Sequence, residues 1–366
     1  MSLSSLNRDA HGDNRRETHN DDVDGSTGPG GASVRDIAAA AGVSIGTVSR
    51  YLNGRSLLPQ TRARVEEGIR KVGERHTPAR RHPKLQKTLI IGAVFPNFDH
   101  FHVGLLRALE KIVLREGYHV ITCDYERDES KMREQFSMLR GRGVDGIVCS
   151  PVRSTFGVAY DNLRVGLPVV TFNNRVDAWG NDHISVDDRD AVAKAVSYLV
   201  DMDHRRIAYL GGDPETSTGL ARLRGYQNAL AEAGIEERPE YMLGGKWPSQ
   251  VSGYTYLHSL FDRDDPPTAM VAANYVLGYS ALRYCRDRGV RIPDDLSLIS
   301  FDETDVFELY TPPITAIRQP LELMAEEAAA ILLERIAGGY ETYPRHTVVP
   351  TEMILRDSVR KLNATT

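Results

Sequence analysis

The sequence predicts an α plus α/β protein, with a small helical head at the N-terminus followed by a larger core of two doubly wound lobes. Three observations carry this prediction. Residues 33–56 encode two short amphipathic helices with a glycine between them. From Thr88 onward short apolar strands alternate with amphipathic helices, in two successive blocks. The charge is also split. Residues 33–90 carry 12 Lys and Arg against 4 Asp and Glu, a net of +8, on a chain whose formal charge is −5, so the remainder totals −13. A basic head on an acidic body is the electrostatic footprint of a nucleic-acid-binding module.

Residues 1–32 are polar and rich in Asn, Asp, Arg and Gly, which predicts a disordered tail. They contain no apolar core of the kind a secretory signal needs, and no run in the chain approaches the ~18 apolar residues of a membrane span. Both points predict a cytoplasmic protein without a membrane partner. In the head, Ser33 is placed to cap the first helix, with Asp36 three residues on. Val34, Ile37, Ala38 and Ala41 follow at helical spacing. Gly42 stands where the chain turns, a position that asks for φ > 0. Ser44 is placed to cap the second helix, whose inner stripe is Val43, Val48 and Leu52. Its outer face carries Gly46, Thr47, Ser49, Arg50 and Asn53. A small apolar core with a polar, arginine-bearing outer face is what a helix-turn-helix requires. Pro59 opens a third helix with Val65, Ile69 and Val72 inward.

Residues 74–87 are basic, rich in Pro and His and poor in core residues, a linker composition. The core runs over 88–358 and a short tail over 359–366. Its first block reads LIIGAVF, HVITCDY, GIVCS and PVVTF with helices between, and its second RIAYLGG, TAMVAAN and LSLISFD. Parallel sheets covered on both faces, with a ligand cleft between two lobes, follow from that alternation. Cys123, Cys149 and Cys285 are odd in number and lie in apolar strand contexts, as reduced core thiols do. No dinucleotide-binding glycine motif, phosphate loop, GxSxG or HExxH is present, and His and Asp are not set at metal spacing. No enzyme, metal site or cofactor is predicted.

The words DIAAAAGVSIGTVSRYLNG (36–54) and TRARVEEGIRKVG (61–73) resemble the LacI/GalR family of bacterial transcription regulators. The likeness continues through LPVVTFNN (167–174), HRRIAYLGG (204–212), ARLRGYQNAL (221–230), PTAMVAAN (267–274), DLSLISFDET (295–304) and PPITAIRQP (312–320), in order, to about Ser358. The resemblance implies a periplasmic-binding-protein-like core. The chain would cross between the lobes near 186, 318 and 348, so that one lobe holds about 88–185 with 318–347 and the other 186–317 with 348–358. It implies a homodimeric repressor that binds a pseudo-palindromic operator in double-stranded DNA and answers to a small-molecule effector between the lobes. No heptad repeat that would tie dimers into tetramers follows TEMILRDS. A two-lobed solute-binding protein without a regulatory role is the alternative, against which the helix-turn-helix stands.

Carried over by position, Ile45, Gly46 and Arg50 face base edges. Arg50 can pair bidentately with guanine, and Ile45 can touch a thymine methyl. Ser33, Thr47, Ser49 and Asn53 suit phosphate oxygens, which fix register without reading sequence. In the family a hinge helix follows a proline matching Pro78 and inserts a leucine into the minor groove, and Leu85 stands at the matching distance. Pro83 falls inside that helix, where it costs ~3 kcal/mol, and the stretch up to Ile91 is about two residues short. Either the hinge forms differently or Leu85 is not a wedge. The effector contacts carried over are Phe101, His102, Cys149, Ser150, Asn173, Arg222, Trp247, Asn274, Tyr275 and Gln319. Asn173 and Tyr275 stand where sugar-binding members carry carboxylates. Ser300 stands where the family has glycine. With Arg222 expected to lack an acidic counterweight, the cleft is expected to take a sugar derivative, a nucleoside-like molecule or an anionic metabolite rather than a plain neutral sugar.

Overall fold

The computed structural model describes residues 34–52, 58–74, 87–152, 166–176, 179–243 and 250–362. The readings of Ser33, Asn53, Pro78, Pro83, Leu85, Trp247 and the two tails fall outside them, apart from the start of the C-terminal one. The chain divides into two compact units, Met1–Arg75 and His76–Thr366.

The first unit holds α1 (Val34–Ala41), α2 (Ile45–Leu52) and α3 (Pro59–Glu74). Ser44 caps α2: its Oγ accepts the Thr47 N–H at 3.2 Å, satisfying one of the donors a helix start leaves open. Gly42 turns the chain at φ 61°, in the left-handed region where a Cβ is strained. Arg64 of α3 donates to the Gly42 carbonyl at 2.5 Å, which ties the third helix to that turn. Ile37, Ala38, Ala41, Val48, Val65 and Ile69 are buried together, a core drawn from all three helices.

The second unit runs β1 (Ile90–Phe95), α4 (His100–Arg115), β2 (His119–Asp124), α5 (Glu129–Gly141), β3 (Gly146–Cys149), β4 (Val169–Phe172), β5 (Asp182–Val186), α6 (Asp188–Asp201) and β6 (Ile207–Leu210). It continues through α7 (Ser217–Glu232), β7 (Met242–Leu243), α8 (Gln250–Phe261), β8 (Ala269–Ala272), α9 (Tyr275–Arg288), β9 (Ser297–Phe301) and α10 (Asp305–Leu309). It closes with β10 (Thr315–Arg318), α11 (Leu321–Ile336), β11 (His346–Val349) and β12 (Glu352–Ile354). Two six-stranded sheets result, ordered β11-β5-β4-β3-β1-β2 and β12-β10-β9-β8-β6-β7. The first is parallel throughout, and in the second only the β10–β12 pair is antiparallel. Helices cover the faces, so the inner strands are apolar along their whole length: β3, β4, β6 and β8 are buried at every residue.

The chain leaves the first sheet after Val186, returns to it after Arg318 and crosses once more between Val349 and Glu352. The crossings are tied to one another. The Thr351 N–H donates to Asp187 at 2.8 Å, and Arg318 reaches Glu352 at 3.3 Å as well as Glu303.

Two packing details go beyond the sequence reading. β5 is polar in sequence yet buried, because Asp182 receives both arms of Arg335 (2.9 and 3.1 Å) and the Arg345 N–H (2.7 Å). The Arg335 and Asp182 side chains are each 1% exposed, a charge pair that survives burial because its geometry is bidentate. Ser300, the departure in β9, donates from its hydroxyl to the Phe301 carbonyl at 3.0 Å. That hydroxyl lies against Gly278 of α9, where a Cβ would also come within 2.6 Å of the Phe307 ring.

Candidate functional site

On the helical head, α2 turns Val48 into the core and leaves Ile45, Gly46, Ser49 and Arg50 exposed. Ile45 is 49% exposed, a large apolar side chain held out on a surface helix at its N-terminal end. Thr47 is half-buried, and its hydroxyl shares a hydrogen bond with that of Ser44 at 2.8 Å. The four exposed positions therefore occupy the outer side of one helix, fixed by the cap on one end and Val48 beneath.

In the core, the cleft-forming residues sit where parallel strands end and helices begin, the place where open α/β sheets bind ligands. Asp99 follows β1 and caps α4, accepting the His102 backbone N–H at 3.0 Å and the His102 ring at Nδ1, 2.7 Å. A carboxylate only accepts, so Nδ1 carries the proton, and in the neutral ring Nε2 is an acceptor. Nε2 is buried with no partner in the protein. Burial alone would raise the Asp99 carboxyl, but the His102 contacts outweigh it and hold the group below the usual carboxylate range. Tyr275, at the start of α9 under the second sheet, bonds through its side chain to this same Asp99, and its ring lies 6.5 Å from that of His100.

The chain of contacts continues on the second sheet. The Tyr275 N–H reaches Asp302 at 3.4 Å, and Asp302 accepts from Gln319 Nε2 at 2.6 Å. With its Nε2 committed to a carboxylate, Gln319 keeps Oε1 as a buried, unpartnered acceptor. Asn173, at the end of β4, likewise has a buried Oδ1 without a partner. Both Asn173 (φ 60°) and Asp302 (φ 66°) occupy the left-handed region directly after a strand, a conformation Asn and Asp tolerate and one that re-aims a side chain at a strand end. Asn174 accepts from the Thr218 hydroxyl at 2.8 Å, and Ser217 accepts the Arg175 N–H at 2.8 Å, so the loop after β4 is bonded to the start of α7.

Arg222 departs from expectation. It has an acidic counterweight: Nε meets Asp188 at 2.6 Å, Nη1 donates to the Ala273 carbonyl at 2.5 Å, and the guanidinium lies 3.6 Å from the Phe301 ring centroid. Both partners are buried, and burial pushes the Asp188 carboxyl up against the pull of Arg222. Asp302 adds a second negative charge near the same guanidinium. The positive charge expected to draw an anion is thus neutralised from within, and the anionic-effector expectation loses its basis.

Two further positions are corrected. Cys149 is wholly buried in the core cluster with Val94, Phe136 and Ile147, where burial pushes its thiol far up. Phe101 packs in the main core, edge-on to His102 at 5.1 Å. Neither side chain is available to a ligand as placed. Ser150 is buried at the end of β3, its carbonyl taking the Tyr125 hydroxyl at 2.8 Å. Asn274 caps α9, its Oδ1 accepting the Leu277 N–H at 2.9 Å. The structure brings His102, Tyr275, Gln319 and Arg222 into one linked set. The sequence reading missed the acids that link them, Asp99, Asp188 and Asp302. Asp302 had been quoted within a family word without a role. Among the described residues no group of His, Cys, Asp and Glu is arranged to hold a metal ion, and no helix is long and apolar enough to cross a membrane.

Comparison with known proteins agrees with this division of labour. Residues 33–73 match the family model of bacterial regulatory proteins, lacI family, and residues 196–359 match that of the periplasmic binding protein-like domain. The chain is 30% identical over 333 residues to the HTH-type transcriptional repressor CytR of Escherichia coli (strain K12), covering 90% of this chain and 97% of that protein. It is 28% identical over 341 residues to the HTH-type transcriptional repressor PurR of Mannheimia succiniciproducens, covering 90% of this chain and 99% of that one. Among solved structures, the transcriptional regulator CelR–cellobiose complex superposes with a TM-score of 0.72 at 28% identity, over 89% of this chain and 99% of that one. A head, a core and whole-length relatives of one kind leave the solute-binding alternative without support: the chain belongs to the lacI family of bacterial regulatory proteins, as a helix-turn-helix transcriptional repressor and not an enzyme.

Proposed function

We propose that this repressor works in the cytoplasm as a homodimer on a pseudo-palindromic operator, and that its effector is a neutral, hydroxyl-rich molecule bound between the strand ends of the two sheets. The observation that carries the effector reading is the set of acceptors whose roles are fixed by their neighbours. His102 Nε2 is an acceptor because Asp99 holds the proton side of the ring, and Gln319 Oε1 is one because Asp302 holds its amide nitrogen. Buried acceptors without partners cost free energy unless a ligand donor meets them. Hydroxyl groups supply such donors, whereas a phosphate or carboxylate brings further acceptors against Asp99, Asp188 and Asp302. Tyr275 offers a ring face and a hydroxyl to the same space. The cellobiose complex of the CelR regulator supports a ligand of this class.

Control follows from linkage. A ligand contacting both sheets changes their equilibrium arrangement, and operator affinity shifts by the difference in its affinity for the two states. On the head, Arg50 reads a guanine and Ile45 a thymine methyl, while Thr47 and Ser49 hold phosphates. The effector test is calorimetric titration of the full chain with three matched sets: neutral disaccharides, nucleosides and phosphorylated sugars. Tight binding among the neutral sets, with operator affinity altered in a mobility shift, is the expected result. Tight binding of a sugar phosphate, with its neutral parent inert, would overturn the effector class.

A further inference from the structure

A cavity of about 350 Å³ lies in the second sheet's half of the core, on a different face of α7 from Arg222. Its walls are the Gly211–Glu215 turn after β6, Tyr209 beneath that turn, Leu223 and Gln227 of α7, and Met242 and Leu243 of β7. Leu223 and Gln227 are four residues apart and form one stripe, whereas the effector-side stripe of the same helix runs Thr218, Arg222 and Tyr226.

Two buried polar atoms in this cavity's lining have no partner in the protein: Tyr209 Oη and Asp213 Oδ2. Tyr209 is 3% and Asp213 5% exposed. Asp213 is rigidly placed, since its other oxygen accepts the Glu215 N–H at 2.9 Å and its carbonyl accepts the Thr216 hydroxyl at 2.7 Å. The Tyr209 ring is held by stacking on Tyr226, centroids 5.1 Å apart. Gln227 gives its Nε2 to Glu237 at 2.8 Å, which leaves its carbonyl oxygen as its remaining polar atom. Glu215 adds a second carboxylate to the wall, and neither Lys nor Arg lines it. The remaining walls are apolar.

We infer that this cavity is a second small-molecule site, taking an amine on a compact apolar body. An ammonium group donates three hydrogen bonds and carries the charge that Asp213 and Glu215 ask for, while the body lies against Leu223, Met242 and Leu243. A cavity of this size is at the lower end of the range that holds organic ligands. The site borders control: the turn that supplies Asp213 runs directly into Ser217 and Thr218, which hold the loop after β4 of the other sheet. An occupant therefore stiffens the same connection that an effector would shift.

The test uses full-length protein and three isosteric probes, benzylammonium, benzyl alcohol and benzoate, followed by saturation-transfer NMR and calorimetry. Benzylammonium is expected to bind saturably, benzyl alcohol at least about tenfold more weakly, and benzoate not at all. Asp213→Asn keeps the acceptor for the Glu215 N–H and should reduce benzylammonium to the level of benzyl alcohol. Tyr209→Phe keeps the stacked ring and should weaken it by a few-fold. Absence of saturable binding, equal binding of benzoate, or binding indifferent to Asp213→Asn in a protein with wild-type circular dichroism each overturns the assignment. None of these outcomes bears on the effector reading, which rests on His102 and Gln319.

Discussion

Arg222→Ala removes one half of a buried ion pair, and the cost depends on pH in a direction the structure fixes. In the native protein Asp188 meets the guanidinium at 2.6 Å, with side-chain exposures of 10% for Arg222 and 7% for Asp188. Taking away one partner of such a pair costs ~3–5 kcal/mol, because the other charge is left in a poorly solvated place. The Ala273 carbonyl loses its donor as well, about 1 kcal/mol. Asp188 can relieve part of this by taking a proton. Burial already pushes its carboxyl up, and without Arg222 nothing opposes that shift. A carboxyl whose folded pKa lies above its unfolded one, about 3.9, gives a variant most stable at low pH and progressively less so as pH rises to the folded value. Each unit of separation is worth 1.36 kcal/mol. The variant should thus trail wild type by ~4 kcal/mol at pH 8 and by about 2 kcal/mol at pH 5. Urea unfolding of the full chain at both pH values, read by far-UV circular dichroism, measures this, and Asp188→Leu with Arg222→Met should restore most of the loss. A deficit below 1 kcal/mol at pH 8, or one equal at the two pH values, would refute the view that Asp188 and Arg222 are a self-neutralised pair.

Four other outcomes are expected. Arg50→Ala should lower operator affinity by ~1–3 kcal/mol per half-site and relax preference at one base pair, and an unchanged ratio of specific to random DNA binding would remove Arg50 as a base reader. His204 is buried between the Thr268 hydroxyl (2.9 Å) and the Arg360 carbonyl (3.1 Å), and burial pushes it down to about 4. The unfolded chain takes that proton at about 6.5, so ~2–3 kcal/mol of stability present above pH 6.5 should fade as pH falls to about 4. His204→Gln should flatten that slope in thermal melts, and an identical slope in the variant would assign it to other groups. Gly278→Ala should destabilise the core by ~1–3 kcal/mol through contact with Ser300 and Phe307, with partial rescue by Ser300→Gly in a denaturant series.

The helical head was legible because its signals are local: a serine cap, a glycine turn and four apolar positions at helical spacing. The apolar strands β1, β3, β4, β6, β8 and β9 were legible for a similar reason, since burial on both faces writes a continuous apolar run. β5 was not. Its DHISV reads as polar surface, and only the fold shows that Asp182 is answered by Arg335, 153 residues later. The two residues of β7 are too few to carry a period. In the cleft, the carried-over positions gave the right neighbourhood but not the chemistry. Cys149 and Phe101 lie at strand and helix positions whose neighbours are ligand-facing, yet the alternation of faces turns them into the core. The partner of Arg222 was hidden because Asp188 comes from a different helix, and sequence spacing says nothing of such pairs. Ser300 in β9 was visible as a departure but uninterpretable until Gly278 was seen against it.

The three crossings between the sheets carry a consequence for how this protein can be made and broken. Neither sheet is a continuous stretch of chain. The first needs β11 and the second needs β12, two short strands separated by Pro350 and Thr351 near the end of the polypeptide. A ribosome has therefore to release about 350 residues before either sheet can be completed, and each half must wait with an open edge while the other is assembled. A nonsense codon anywhere before about 345 strips both halves at once, rather than sparing the first. The two halves have no separate existence as gene fragments, and domain-by-domain expression of this core should yield aggregates where expression of the whole yields protein.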